Sequence, residues 1–120
     1  MNYQQKNQLR KDFKDLFTPG YPEGCVKITS QETELHAKTK AHVMHWLKTN
    51  QYEVWCEATF KNGYSGRPDL ICIHPSGVSY IIEVMCSESE IKALEKLNKY
   101  PPITIIKVYA KTFDYNTFCL

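Results

Sequence analysis

Apolar side chains recur at helical spacing near the start of the chain and again before its middle. The first such segment covers residues 4–17 and is predicted to end at Thr18-Pro19-Gly20, which breaks a helix. The second begins near Ser30, where Thr29 and Glu32 have the spacing of a capping box. Asn50 is its predicted C-cap. The inner face of this second helix is predicted to consist of Leu35, Thr39, Val43, Trp46 and Leu47.

Three segments typical of strands follow, at residues 52–60, 68–74 and 78–86. The first alternates and is rich in aromatic and β-branched residues, and the other two contain apolar runs. Residues 61–66 and the tight turn Pro75-Ser76-Gly77 connect them. Because these connections are short, neighbouring strands are predicted to be antiparallel.

A third helix and a last strand complete the pattern. The helix is predicted over Ser87–Tyr100, with Ser87 and Glu90 as a second capping box and Pro101-Pro102 as the stop. Ile103–Tyr109 is almost continuously apolar, which predicts a strand buried on both faces. A right-handed connection would make this strand parallel to the preceding one. The order predicts an α/β fold with a mixed sheet flanked by helices and an additional N-terminal helix.

Length and composition agree with one soluble domain over residues 1–120, with its core at about 30–110. The chain is 42% hydrophobic and 23% charged, as in ordinary globular proteins. No apolar run approaches the roughly 18 residues that a membrane span needs. The N-terminus is polar, so we expect a cytoplasmic protein, in a cell or in the cytoplasm of a viral host.

The cysteines and the basic residues indicate which kinds of binding site this protein can have. Five cysteines without a C-x-x-C pair argue against a zinc site or a disulfide framework. Cys56, Cys72 and Cys86 lie in apolar runs and are predicted to be buried, and a pair between Cys72 and Cys86 stays open. The net charge is +2. Two groups of basic residues form either solvated helix faces or phosphate-binding surfaces. The first group is Lys6, Arg10, Lys11 and Lys14, and the second is Lys92, Lys96 and Lys99.

Two acidic residues on consecutive predicted strands form the candidate site. Asp69 follows Arg67-Pro68 and opens one strand, and Glu83 lies between Ile82 and Val84 in the next. If the intervening turn pairs the strands, the two carboxylates lie close together at one end. They could hold Mg²⁺, with the Val84 carbonyl as a third ligand. The alternative is a turn aspartate and a solvent-facing glutamate, but a charge within so apolar a strand favours function.

The runs GRPDL and YIIEV, after a Glu-bearing helix and before a helix and a strand, resemble the PD-(D/E)xK nuclease superfamily. The superfamily includes restriction endonucleases, Holliday-junction resolvases and small nucleases of archaeal viruses. The resemblance covers residues 30–110. It implies a restriction-endonuclease-like α-β-β-β-α-β core, and hydrolysis of DNA by a homodimer that uses Mg²⁺ or Mn²⁺.

The resemblance also assigns roles to individual residues. Asp69 and Glu83 match the two metal-binding acids. A glutamate of the first core helix completes the site in the superfamily, and Glu32 is the choice here, with Glu34 as the alternative. His36 is expected to line the same cleft. The residues expected to contact nucleic acid are Lys38, Lys61 and Arg67.

One position departs from the superfamily motif. Its lysine, two residues after the second acid, is Met85 here, and a thioether donates no hydrogen bond. The candidates to replace the lysine are Lys38, Lys40, Lys61, Arg67 and His36. The departure keeps two further hypotheses open: a nuclease-like viral or mobile-element protein that binds nucleic acid or a protein without cutting, and an unrelated α/β protein with a chance motif.

Overall fold

The computed structural model describes residues 1–86 and 95–120. Its helices and strands are α1 Tyr3–Lys14, β1 Phe17–Thr18, α2 Glu34–Thr49, β2 Glu53–Cys56, β3 Thr59–Phe60, β4 Leu70–Ile73, β5 Ser79–Met85 and β6 Ile105–Tyr109, followed by a 3₁₀ turn at Ala110–Thr112. Residues 95–97 are helical. Most of the predicted third helix, including its capping pair Ser87 and Glu90, lies outside the described residues. No described helix is long and apolar enough to cross a membrane.

The main sheet is mixed, as predicted. Its four strands lie in the order β2-β4-β5-β6. β4 is antiparallel to both β2 and β5, and β6 is parallel to β5. A second, two-stranded antiparallel sheet joins β1 to β3. With the N-terminal helix α1, the observed order and strand directions confirm the predicted α/β fold.

Each face of the main sheet has its own apolar cluster. Helix α2 covers one face, where Val43 and Leu47 pack with Leu70, Cys72 and Ile82 of the sheet. The N-terminal segment covers the other face. There the side chains that pack together include Phe13, Phe17, Trp55, Ile71, Ile81 and Tyr100. Alternation along each strand divides its side chains between the two clusters.

Helix α2 begins four residues later than predicted, at Glu34, with Thr33 as its N-cap. The Thr29–Glu32 capping bond forms, but in a separate turn before the helix: the Thr29 amide donates to Glu32 Oε2 at 2.9 Å. The spacing of a capping box therefore identified a real interaction and the wrong helix start. The predicted C-cap, Asn50, is confirmed.

The buried face of α2 is also rotated from the predicted one. Leu35 is 40% exposed, whereas Lys40 and Met44 are buried. The apolar pattern predicts Lys40 on the exposed face of the helix, because a lysine is rarely buried without a partner. The structure supplies that partner, since Lys40 bonds to Glu32.

Four predictions on strands, the first helix and cysteines were wrong. Residues 52–60 form two strands, because Glu57 has a left-handed backbone (φ 61°) that breaks the ladder and lets Phe60 pair with Phe17. Phe17 therefore belongs to a strand, not to the first helix. Strand β6 is at the sheet edge and only partly buried, and Cys86 is half-buried with a free thiol.

Glycine 66, in the GRPDL run, gives a stability prediction. It has φ +106°, and a Cβ there would lie 2.6 Å from the Tyr100 ring. Gly63 has a similar φ of +91° with open space around it. We expect Gly63→Ala to cost about 1 kcal/mol in unfolding free energy, from backbone strain alone. Gly66→Ala should cost about 1–3 kcal/mol more, because the ring must move. Urea unfolding measures both, and equal losses would contradict the predicted clash.

Candidate active site

The two acidic residues of the motif meet across strands β4 and β5. Leu70 pairs with Ile82, so Asp69 and Glu83 occupy the next opposed positions in the antiparallel ladder. Each carboxyl group shifts the pKa of the other, which indicates that the two groups lie close together. The convergence predicted from the Pro75-Ser76-Gly77 turn is therefore found in the structure.

Glu83 is almost completely enclosed, with 2% of its surface exposed. The Tyr100 hydroxyl donates to its Oε1, and Lys96 Nζ lies 3.2 Å from its Oε2. Burial and the negative charge of Asp69 raise the pKa of Glu83 to about 7, against the opposing effects of Tyr100 and Lys96. A carboxyl group in this position readily exchanges its proton for another positive charge.

Asp69 is held in place from two directions. The Val84 amide donates to its Oδ2 at 2.8 Å, and His36 Nε2 lies 3.4 Å from its Oδ1. Burial would raise the pKa of Asp69, but the bonds from His36 and Val84 outweigh it and hold the pKa below its usual value. Of the two carboxyl groups, Asp69 is the one that stays ionised and Glu83 is the one that takes the proton.

Glu32 links this pair to helix α2. Its Oε1 lies 2.6 Å from His36 Nδ1 and 2.7 Å from Lys40 Nζ. His36 and Lys40 stand one helical turn apart, so both face the glutamate. The bond to Asp69 raises the pKa of His36, against burial and with help from Glu32. The result is a continuous polar chain from Lys40 through Glu32 and His36 to Asp69.

The polar side chains from Lys40 to Asp69 line an open cleft of about 360 Å³, which Glu57 and Cys86 also line. Glu34, the alternative helix acid, is exposed and does not line this cleft. The three residues predicted to contact nucleic acid do not line it either. Lys38 and Lys61 are exposed, and Arg67 bonds to Glu57 at 3.0 Å.

Two residues at Glu83 were missed as site residues. The sequence predicts Lys96 only as part of a basic group and Tyr100 only as the end of a helix. They are four residues apart, which places two side chains on one helix face, and that spacing was the available signal. Of the candidates to replace the missing lysine, His36 and Lys40 do reach the cleft. Met85 itself is buried.

The donor chemistry of the carboxyl pair fits a hard divalent cation, and the close approach of two acids makes a positive charge between them favourable. Among residues 1–86 and 95–120, no group of three or more His, Cys, Asp and Glu side chains is arranged to hold a metal ion. Mg²⁺ is commonly held by one or two carboxylates with water and substrate phosphate. Binding of Mg²⁺ or Mn²⁺, with the Val84 carbonyl as a ligand, stays a prediction.

A mixed sheet under helix α2, with paired carboxyl groups on adjacent strands, defines a nuclease-like α/β domain. Comparison with known families agrees: residues 32–108 match the family described as competence protein CoiA, nuclease-like domain. The match covers more than half of the chain, which therefore belongs to that family. No match was found among curated proteins or among solved structures.

The raised pKa of Glu83 predicts a pH dependence of stability. Between pH 4.5 and 7 an unfolded Glu83 ionises while the folded one keeps its proton. The unfolding free energy should therefore fall as pH rises through this window, by up to about 3 kcal/mol for this residue. Glu83→Gln should remove that fall. Urea unfolding in chelator across pH 4–8 tests this, with the exposed Glu34→Gln as control. Parallel curves for wild type and Glu83→Gln would contradict it.

Proposed function

We propose that this protein is a nuclease of the PD-(D/E)xK type that hydrolyses phosphodiester bonds in DNA with Mg²⁺ or Mn²⁺. The observation that carries the proposal is the pair of opposed acids, Asp69 and Glu83, on adjacent strands at the edge of a cleft, within a domain of the CoiA nuclease-like family. Glu32 and His36 line the same cleft and extend the site.

Asp69 and Glu83 are the residues that would hold the metal. When bound, a divalent cation supplies an acidified water and offsets charge on the phosphate. The chain's own residues prepare the site for it. The Val84 amide and His36 fix the orientation of Asp69, and Tyr100 and Lys96 fix that of Glu83. A preoriented pair loses little freedom on binding.

Two cationic side chains would replace the lysine of the superfamily motif, whose position Met85 occupies here. Lys96 lies at Glu83 with 37% of its side chain exposed, so its positive charge stands beside the carboxyl pair. His36 lies between Glu32 and Asp69 at the cleft surface, with one ring nitrogen toward each carboxylate. Both groups would stabilise negative charge that develops on the phosphate. Lys40 is too deeply buried for that role and neutralises Glu32.

Cleavage assays test the proposal. Purified protein would be incubated with plasmid, linear duplex, single-stranded and branched DNA, and with RNA, in Mg²⁺, Mn²⁺ or chelator. We expect DNA to be cut only with a divalent cation. If none of these substrates is cut in either metal, while the folded protein still binds DNA, the enzyme proposal fails. A homodimer stays a prediction, which light scattering with and without DNA would check.

Met85 favours a second candidate, a nuclease-like protein that binds nucleic acid without cutting it. This candidate predicts DNA affinity that does not depend on Asp69 or on a metal. Lys96 and His36 argue for the enzyme, because they return positive charge to a site that has lost its lysine. Calorimetry with Mn²⁺ separates the two, since the binder should give no heat of metal binding.

A further inference from the structure

A second cleft, of about 490 Å³, adjoins the candidate active site, and Glu57 lines both. This second cleft is also lined by one aromatic and two cationic residues, Tyr21, Lys27 and Arg67. Its volume lies within the range of sites that hold small molecules. Glu57 keeps a left-handed backbone (φ 61°) at the junction of the two clefts. Such a conformation costs energy and is often found at functional sites.

Positive charge exceeds negative charge in this second cleft. Lys27 and Arg67 are both cationic, and Glu57 is the only acid lining the cleft in the described part of the chain. Arg67 has 64% of its side chain exposed and donates one hydrogen bond, from Nη1 to Glu57. A guanidinium group carries five donors, so most of its fork remains available to solvent in the described structure. A phosphate is the anion that such a fork and an ammonium group bind best.

An aromatic ring accompanies the cations. Tyr21 is 36% exposed, and Lys27 Nζ lies 5.1 Å from its ring centroid. The ring therefore lies beside a cation and is partly open to solvent. Aromatic rings beside basic side chains bind unpaired nucleotides, because each base stacks on a ring while its phosphate meets a cation.

The two clefts differ in charge. At the candidate active site the acids Glu32 and Asp69 are paired with His36 and Lys40, so this cleft has little excess charge of either sign. The second cleft, which shares Glu57 with it, has an excess of positive charge and attracts a polyanion. Substrate held at Lys27 and Arg67 would extend past Glu57 to the paired carboxyl groups.

We infer that the Tyr21–Lys27–Arg67 cleft binds the phosphate and base of an unpaired nucleotide that flanks the bond to be cut. The inference rests on the proposed function and adds a substrate class: nucleic acid that is single-stranded beside the scissile bond. Base pairing would bury the base in a duplex and keep it from the Tyr21 ring, so duplex DNA should bind more weakly.

Fluorescence anisotropy in chelator tests the inference without cleavage. The probes are a labelled single strand of about 12 nucleotides, which spans one binding site of this kind, and its duplex. Lys27→Met and Arg67→Met each remove one phosphate contact. Each should weaken single-strand binding about fivefold and lower the slope of log affinity against log salt by about 0.7. Tyr21→Leu should weaken the single strand about fivefold and leave the duplex unchanged.

Lys111→Met is the matched control, since it removes the same charge from an exposed residue outside both clefts. Glu57→Gln provides a test of opposite sign: it removes the acid between the clefts and should tighten binding. The inference is overturned if Lys27→Met and Arg67→Met match Lys111→Met, or if Tyr21→Leu affects both probes alike. Because no cleavage is measured, these results hold whether or not the protein proves to be a nuclease.

Discussion

Asp69→Asn is expected to reduce metal-dependent cleavage by about 10²- to 10³-fold or more. The substitution keeps the shape of the side chain and an oxygen that can accept from the Val84 amide. It removes the charge that a cation would balance, and an amide oxygen is a weaker ligand for Mg²⁺ than a carboxylate. Calorimetry should show the heat of Mn²⁺ binding disappear together with the activity.

The fold of the Asp69→Asn variant should survive. Removing the Asp69 charge relieves its repulsion of Glu83 at neutral pH, which offsets the loss of the ion pair with His36. We therefore expect the unfolding free energy to stay within about 1 kcal/mol of wild type. Asp15→Asn, at an exposed position on the C-cap of α1, is the matched control and should keep full activity. Full activity of Asp69→Asn would disprove the proposed site.

The carboxyl pair was predictable because local signals fixed it. Pro75-Ser76-Gly77 sets the β4–β5 hairpin, and the hairpin sets the register that places Asp69 opposite Glu83. A charge inside an apolar strand then marked Glu83. The same logic gave the parallel pairing of β6, because a helical crossover allows little else.

The rest of the site depends on contacts between distant segments, which periodicity does not record. Lys40 is buried only because Glu32, in a turn outside the helix, meets its ammonium group. The left-handed backbone of Glu57 separates two strands that alternation merged into one. The second cleft needs Tyr21, Lys27 and Arg67 from two loops that are brought together by tertiary contacts, among them the β1–β3 pairing and the bond between Lys27 and Cys56. These are tertiary effects that outweigh local propensity.

Lys40→Met is expected to cost about 3–5 kcal/mol in unfolding free energy, a large effect for one substitution. The lysine is 3% exposed, and its Nζ lies 2.7 Å from Glu32 Oε1, whose side chain is 7% exposed. Methionine fills nearly the same space, so little packing is lost. What changes is that Glu32 keeps a negative charge in a largely buried position without the ammonium group that balanced it, and its remaining partners include His36 and Thr29.

The double variant Glu32→Gln/Lys40→Met separates charge from packing. It removes both charges, so it should be more stable than Lys40→Met alone, with a coupling of about 1–3 kcal/mol in the double-mutant cycle. Lys38→Met, two residues away on the same helix but exposed, controls for the loss of a lysine and should stay within about 0.5 kcal/mol of wild type. Urea unfolding at pH 7 of wild type, Glu32→Gln, Lys40→Met, the double variant and Lys38→Met gives the five free energies that the comparison needs. If Lys40→Met proves as harmless as Lys38→Met, Lys40 does not act as a buried counter-charge for Glu32.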